Sequence, residues 1–184
     1  MTHRFLFRRR VEFADTDVAG IMHFSNFFRF MEVTEHAFYR SLGFSVHPFS
    51  PDAGNPDVNP VASGDEVGTT VAPGVAVGGG DARVGWPRVH ASADFRLPLH
   101  FEEEVEIELL VEEVRNRTIR YFFRFWKNPD SPEGKAEAAV GRFTVVCVCF
   151  DADTRRMKAV AIPDEWREKI ASAPEGAIPS GSDR

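Results

Sequence analysis

Two carboxylates, an imidazole and a hydroxyl stand close together near the start of the chain, at Asp15, Asp17, His23 and Ser25. A carboxylate can attack a carbonyl carbon or activate a water molecule, and an imidazole can exchange a proton near neutral pH. An aspartate just before a helix more often closes a turn or caps the helix, and a histidine there is as readily a partly buried polar residue. On residue types alone, the structural role is the commoner one.

The flanking sequence predicts a strand, an acidic loop and a helix. Apolar and charged residues alternate from Arg4 to Phe13, which is typical of a half-buried strand. After the acidic loop, Ser25 offers a hydroxyl where a helix could begin. The apolar residues from 24 to 42 occupy more than one face of that helix, and Gly43 is well placed as its C-terminal cap. A helix this apolar should be surrounded by the rest of the fold.

Strand patterns dominate the remainder of the chain after one unusual insertion. Residues 45–87 are rich in glycine and proline, which predicts a long loop, either a lid or a disordered insertion. Residue patterns predict strands at 88–96, 104–112, 119–126, 138–150 and 157–161, and a terminal helix at 163–170. We therefore expect one α+β domain over residues 1–171, an antiparallel sheet curled around one helix, and a flexible tail at 172–184.

The composition is that of an ordinary globular domain. With 184 residues and 43% hydrophobic content, the chain can build a sizeable core, and its net charge of −6 argues against coating nucleic acid. No apolar run approaches the roughly 20 residues that cross a membrane, and no signal peptide is apparent, so we expect a cytoplasmic protein without a membrane partner. Cys147 and Cys149 are interpreted as buried apolar residues of a strand rather than metal ligands.

One motif in this sequence resembles a known family. It runs Phe13-Ala-Asp15-Thr-Asp17-Val-Ala-Gly20 and is followed by Asn26-Phe27 and by Glu32 in the helix. The motif and the order of the elements resemble the hot-dog fold acyl-CoA thioesterases, in the branch of 4-hydroxybenzoyl-CoA thioesterase and its YbgC-like relatives. The resemblance covers most of the chain outside the insertion and the tail. Phe27 departs from the family's usual tyrosine.

The resemblance implies hydrolysis of an acyl-CoA thioester in a hot-dog fold. Asp17 is implied to be the catalytic carboxylate, as nucleophile or as general base, with backbone N–H groups at Phe24 and Ser25 stabilising the carbonyl oxygen. No metal and no organic cofactor is implied, because coenzyme A belongs to the substrate, and a homodimer or homotetramer is expected. The implied substrate-binding residues are Gly20, His23, Asn26, Phe27, Arg88, Arg115, Arg117 and Arg120.

Two other functions stay open from the sequence. A hot-dog hydratase or dehydratase would act on similar thioesters, but such enzymes typically have an Asn-Pro pair at the helix start, whereas Val-Ala-Gly follows Asp17 here. A non-catalytic acyl-CoA-binding protein is the third possibility, against which the retention of Asp17 in the motif speaks.

Overall fold

A computed structural model of the chain describes residues 1–44, 84–132, 134–151 and 156–179. Most of the predicted insertion at 45–87, and residues 180–184 of the predicted tail, lie outside the described residues. The described part contains one long helix, one short helix and a single 3-10 turn in addition to its strands.

In the described residues, eight strands form two antiparallel sheets. In chain order they are β1 (Arg4–Arg10), β2 (Val84–Gly85), β3 (Arg88–Phe95), β4 (Glu104–Val114), β5 (Thr118–Lys127), β6 (Ala136–Val146), β7 (Val148–Asp151) and β8 (Arg156–Ala159). The main sheet has the order β1-β4-β5-β6-β3, and the smaller sheet has the order β2-β7-β8. The predicted strands are therefore present, except that the one expected at 138–150 is divided at Cys147.

The long helix α1 (Phe24–Ser41) packs against one face of the main sheet, as its apolar pattern predicts. It approaches β6 closely, because a Cβ placed on Gly141 would lie 2.7 Å from the sulfur of Met31. The helix ends with Gly43 at a φ of +84°, and the N–H of Phe44 donates to the carbonyl of Tyr39 at 3.0 Å. The predicted C-terminal end of the helix and the predicted glycine cap are thus confirmed.

The first strand is shorter than its alternating pattern suggests. It ends at Arg10, and Phe13 begins a 3-10 turn, Phe13–Asp15, instead of continuing the inner face of the strand. The side chain of Phe13 is 78% exposed and lies edge-to-face with Phe101 at 6.1 Å between ring centroids. The alternation at Phe13 is coincidental, because the capping hydrogen bond between Asp15 and the N–H of Glu12 turns the chain there.

The face of the sheet turned away from α1 carries ion pairs. Glu108 on β4 is only 6% exposed and accepts hydrogen bonds from Arg4 Nε at 2.6 Å and Trp126 Nε1 at 3.1 Å. Burial opposes ionisation of this carboxyl, but the hydrogen bonds and the nearby charges outweigh burial and lower the pKa of Glu108. Charged and indole side chains therefore connect β1, β4 and β5 on this face.

Residues near the end of the described chain contact the main sheet. Ile178 packs against a small apolar cluster of Leu110, Phe122 and Val140, and Arg124 donates to the carbonyl of Ala177 at 3.1 Å. Residues 172–179 thus lie against the sheet, in a segment where the sequence predicts the beginning of a flexible tail. The local sequence pattern does not predict this contact with the sheet, because one large apolar residue, Ile178, among small and polar residues has no periodicity.

The elements near the end of the chain pack against the C-terminal end of α1. The terminal helix α2 is short, Asp164–Arg167, and its Trp166 stacks on Phe44 with ring centroids 3.7 Å apart. Cys147 is buried between β6 and β7, where burial raises the pKa of its thiol to about 11, and Cys149 is half-buried. A thiol with so high a pKa stays protonated, which agrees with the interpretation of Cys147 as an apolar residue.

Candidate active site

The acidic loop between β1 and α1 is a tight, hydrogen-bonded structure. Thr16 forms an isolated antiparallel bridge with Met22, and the N–H of Asp17 donates to the carbonyl of Ile21 at 2.9 Å. The N–H of Gly20 returns to the carbonyl of Asp17 at 2.9 Å, and Gly20 has a φ of +74° that favours glycine. Gly20 therefore closes the turn, whereas its predicted contact with substrate stays a prediction.

The carboxylate of Asp17 is half-buried at the tip of this loop. Its Oδ1 accepts the backbone N–H of Ala19 at 2.8 Å, which is the geometry of an Asx turn. Among the described residues, Oδ2 has no hydrogen-bond partner. The turn therefore fixes the direction of the side chain through one oxygen and leaves the other oxygen available for chemistry.

Asp15 has a structural role in this loop. Its side chain is 5% exposed and its Oδ2 accepts the N–H of Glu12 at 3.0 Å. Its carbonyl accepts the N–H of His23 at 2.9 Å and the side-chain amide of Asn26 at 2.8 Å. Asn26 is 6% exposed, so its amide ties the acidic loop to the first turn of α1, and it neither caps the helix nor bonds Asp17.

The start of α1 differs from the sequence prediction. The N-terminal cap is His23, not Ser25, because the N–H of Ser25 points at the Nδ1 of His23 at 3.4 Å. The hydroxyl of Ser25 is 2.8 Å from the same nitrogen. Within the described residues the backbone N–H of Phe24 has no acceptor, so it is the predicted oxyanion donor that is available at the positive end of the helix dipole.

Phe27 lies beneath the loop as part of the core. It is 4% exposed, and its ring lies 4.9 Å from the ring of Phe95 and 5.2 Å from that of Phe125. Phe95 is itself 48% exposed, at the open edge of the sheet. A substrate would therefore meet the exposed ring of Phe95 before it met Phe27, whose predicted contact with substrate stays a prediction.

An apolar surface surrounds the acidic loop, and we call it the loop collar. Its members are Phe13, Val18, Phe24, Phe95, Leu97 and Phe101, all more than 40% exposed. They meet at this loop because Met22 bonds to the carbonyl of Leu99 and Ile21 bridges to His100. Sequence reasoning did not select Phe13, Phe95 or Phe101 as site residues. The sequence feature that could have identified them is that all three are aromatic residues at the ends of predicted strands or just outside them.

Arg88 is half-buried and pairs with acidic side chains of α1. Its guanidinium donates to Glu32 at 2.8 Å and to Glu35 of α1, and it covers the ring of Phe143. Burial raises the pKa of Glu35, an effect that Arg88 and the hydroxyl of Tyr39 oppose. The guanidinium of Arg88 is thus paired with carboxylates of α1. Its predicted contact with substrate stays a prediction.

The arginines of the β4–β5 turn lie at the opposite end of the sheet from Asp17. The acidic loop adjoins the start of β4, whereas Arg115 and Arg117 follow its end, and 11 residues of strand separate the two ends by roughly 33 Å. Arg115 is paired with Glu113 at 2.9 Å, and Arg120 lies 3.6 Å from Glu112. The structure therefore brings together the predicted loop residues but not these three arginines.

Two other kinds of site are absent from the described part of the chain. No three His, Cys, Asp or Glu side chains there cluster as ligands of a metal ion would. Among the same residues, no helix has the length and apolar character needed to cross a membrane.

Comparison with protein families gives one match over most of the chain. The profile of the thioesterase-like superfamily matches residues 11–170. Among curated proteins, a 1,4-dihydroxy-2-naphthoyl-CoA hydrolase from Prochlorococcus marinus (strain MIT 9313) is 28% identical over 120 residues, which cover 65% of this chain and 65% of that protein. The chain therefore matches slightly less than two thirds of the length of this relative.

Solved structures of similar fold include two acyl-CoA thioesterases. The 1,4-dihydroxy-2-naphthoyl-CoA thioesterase from Synechocystis superposes with a TM-score of 0.63 at 20% identity, covering 91% of this chain and 95% of that one. The 4-hydroxybenzoyl-CoA thioesterase from Pseudomonas sp. strain CBS-3 gives a TM-score of 0.64 at 17% identity, covering 91% and 99%. At these identities the likeness establishes the fold.

Proposed function

The chain belongs to the thioesterase-like superfamily, and on this basis we propose that it hydrolyses an acyl-CoA thioester to the free acid and coenzyme A, with Asp17 acting at the reacting carbonyl. The predicted α+β hot-dog fold, with its antiparallel sheet and one main helix, is confirmed. The observation that carries the proposal is the position of Asp17. Its carboxylate is held by an Asx turn in a loop fastened to the first turn of α1.

The site supplies the two groups that thioester hydrolysis needs. The carboxylate of Asp17 is the attacking or activating group, and the unpaired N–H of Phe24 faces charge that develops on the carbonyl oxygen. The first turn of α1 contains no acidic side chain, so the positive end of its dipole is not neutralised from within the turn. The reaction uses no metal ion and no organic cofactor.

Two routes use the same carboxylate. If Asp17 attacks the carbonyl carbon, the carbon–sulfur bond breaks, coenzyme A leaves as a thiolate, and water hydrolyses the resulting mixed anhydride. If Asp17 acts as a general base, it takes a proton from water, which attacks the carbonyl directly and expels the same thiolate. Both routes end with a free acid and coenzyme A.

The acyl group that best fits the surroundings is aromatic. The loop collar contains four exposed phenylalanine rings, and aromatic rings pair favourably in edge-to-face or offset contacts. The relatives described above act on naphthoyl and benzoyl thioesters, according to their names. We therefore assign an aromatic acyl-CoA as the preferred class of substrate.

A homodimer through the β3 edge would complete the site. Among the described residues, no further strand pairs with either edge strand of the main sheet. Strand β1 carries four arginines among its seven residues, which would repel one another in a two-fold pair. Strand β3 has fewer charges and exposes Val89 and Phe95, which are 63% and 48% exposed. Antiparallel pairing of two β3 edges extends the sheet and covers these residues.

The same pairing gives the distant arginines a role. Because β3 runs from the far end of the sheet towards Asp17, a two-fold axis across β3 places the far end of one sheet beside the loop collar of the other. The exposed side chain of Arg115 pairs with Glu113, and the half-buried Arg120 lies 3.6 Å from Glu112 and 3.8 Å from Glu113. Solvent screening weakens the first pair and distance weakens the others, so both arginines can turn to a phosphate. The basic turn of one subunit would thus hold the nucleotide of a substrate bound at its partner's Asp17.

Changing the β3 edge should therefore dissociate the dimer. A lysine at Val89 puts like charges into an apolar, desolvated contact, and we expect the Val89→Lys variant to raise the dimer dissociation constant by about tenfold or more. Leu6→Lys on β1 is the matched control, since Leu6 is 43% exposed on the other edge strand. Sedimentation velocity over a concentration series measures both. An equal effect of the two variants would exclude β3 as the specific interface.

The proposed activity is tested by thiol release from a panel of aromatic, short-chain, long-chain and 2-enoyl-CoA substrates. We expect release from aromatic members with a kcat/KM at least about tenfold above the others. Addition of water to the enoyl substrate with the thioester intact would instead show a hydratase. Binding without release from any member would show a non-catalytic acyl-CoA-binding protein.

A further inference from the structure

The imidazole of His23 is held in one tautomer by Ser25. The backbone N–H of Ser25 points at Nδ1 at 3.4 Å, and the hydroxyl of Ser25 is 2.8 Å from the same atom. An amide N–H can only donate, so Nδ1 must be the acceptor. A neutral imidazole that accepts at Nδ1 carries its proton on Nε2.

The ring is also fixed in direction. The N–H of His23 donates to the carbonyl of Asp15 at 2.9 Å, and the ring lies against Phe24 with centroids 4.4 Å apart. No second hydrogen bond or ion pair engages the ring within the described residues, so the Nε2–H is without an acceptor there. A half-buried, oriented donor thus stands at the start of α1.

The placement of His23 relative to Asp17 suits a thioester between them. Thr16 and Met22 form a bridge, and Asp17 is opposite Ile21, so His23 is the diagonal neighbour of Asp17. Residues on either side of a bridged pair point to the same side, and diagonal neighbours lie about 7–8 Å apart. That spacing leaves room for a planar thioester group with the carboxylate on one side and the imidazole on the other.

We infer that His23 donates a hydrogen bond from Nε2 to the carbonyl oxygen of the thioester, and that Ser25 is the positioning residue that keeps the proton on Nε2. This inference rests on the proposed thioesterase function. The N–H of Ser25, which the sequence resemblance makes an oxyanion donor, is directed at the ring, and the side chain of His23 takes that donor's place. His23 donates this hydrogen bond without transferring its proton, so the effect is electrostatic.

The kinetic test compares two substitutions of His23. His23→Leu removes the donor, and we expect kcat to fall by about 10²-fold with a smaller change in KM, because the hydrogen bond strengthens as charge develops. His23→Gln retains an N–H donor near the position of Nε2 and should keep kcat within about tenfold of the unsubstituted enzyme. Equal kcat values for His23→Leu and the unsubstituted enzyme would overturn the role of His23.

The tautomer is tested separately, without substrate. Nitrogen-15 NMR of the histidine side chains at neutral pH should show a protonated Nε2 and an unprotonated Nδ1 for His23, and Ser25→Ala, which removes the hydroxyl but keeps the backbone N–H that points at Nδ1, should leave this tautomer as the major form. The same variant should lower kcat by only about three- to tenfold. A loss of about 10³-fold or more would show that Ser25 is itself the nucleophile, and a proton on Nδ1 in the unsubstituted enzyme would refute the positioning role. Because this measurement needs no turnover, its failure is distinct from failure of the proposed thioesterase activity.

Discussion

Replacing Asp17 with asparagine should abolish turnover while the protein stays folded and still binds its substrate. The amide oxygen of asparagine accepts the N–H of Ala19 as the carboxylate Oδ1 does, so the Asx turn is kept. The substitution removes the negative charge and the basic oxygen, on which both the nucleophilic and the general-base route depend. We expect kcat to fall by about 10³–10⁴-fold, with a change in substrate affinity below about threefold.

Steady-state thiol release and equilibrium binding of an acyl-CoA measure the two quantities for Asp17→Asn. The matched control is Asp15→Asn, two residues away in the same loop. Asp15 is buried and caps a turn, so this variant should lose about 1 kcal/mol of stability and keep kcat within a few-fold. If Asp17→Asn turned over normally, the assignment of the reacting carboxylate would be wrong. If Asp15→Asn were the inactive variant, the two aspartates would have exchanged roles.

Local sequence patterns predict the elements of this fold well but miss the N-terminal cap of α1. Strands such as β4 and the helix α1 follow from alternation and from helical spacing, because burial of one face imposes those periods. The N-terminal cap was assigned to Ser25 by residue preference, whereas the structure uses His23. A histidine caps here because its backbone N–H is already fixed by the carbonyl of Asp15, a contact across the loop that no local preference encodes.

The candidate site shows the same division between local and long-range information. The motif around Asp17 places its carboxylate correctly in a turn before α1, since the turn and the helix start are local features. Arg88 is different, because its acidic partners Glu32 and Glu35 are more than 50 residues away and lie on the other side of the insertion. A basic residue at the start of a strand looks the same in sequence whether it meets a phosphate or a buried carboxylate.

Removing Arg88 should have the largest effect on stability among the substitutions considered. Glu35 is 1% exposed, and its two oxygens accept from Tyr39 at 2.7 Å and from Arg88. The Arg88→Met variant keeps much of the side-chain volume but leaves a buried carboxylate without its cation, for which we expect a loss of about 3–5 kcal/mol at pH 8. Urea denaturation measures it. Arg115→Met removes an exposed pair with Glu113 and should leave the unfolding transition unchanged.

The pH dependence of the stability of Arg88→Met distinguishes the loss of the Glu35 ion pair from a simple loss of packing. Burial already raises the pKa of Glu35, and without Arg88 that pKa rises further, since the guanidinium is what opposes burial. A carboxyl with a raised folded-state pKa binds its proton more tightly in the folded protein, so the stability of Arg88→Met should be greatest below the unfolded pKa of about 4.3 and should fall as pH rises through the folded pKa. The loss of stability relative to the unsubstituted protein should therefore shrink on acidification towards pH 5.

The double variant Arg88→Met/Glu35→Gln, which retains an acceptor for Tyr39, should recover part of the loss at pH 8 and show little of this pH dependence. A deficit that is independent of pH, or undiminished in the double variant, would show that Arg88 stabilises the fold through packing on Phe143 and not through Glu35.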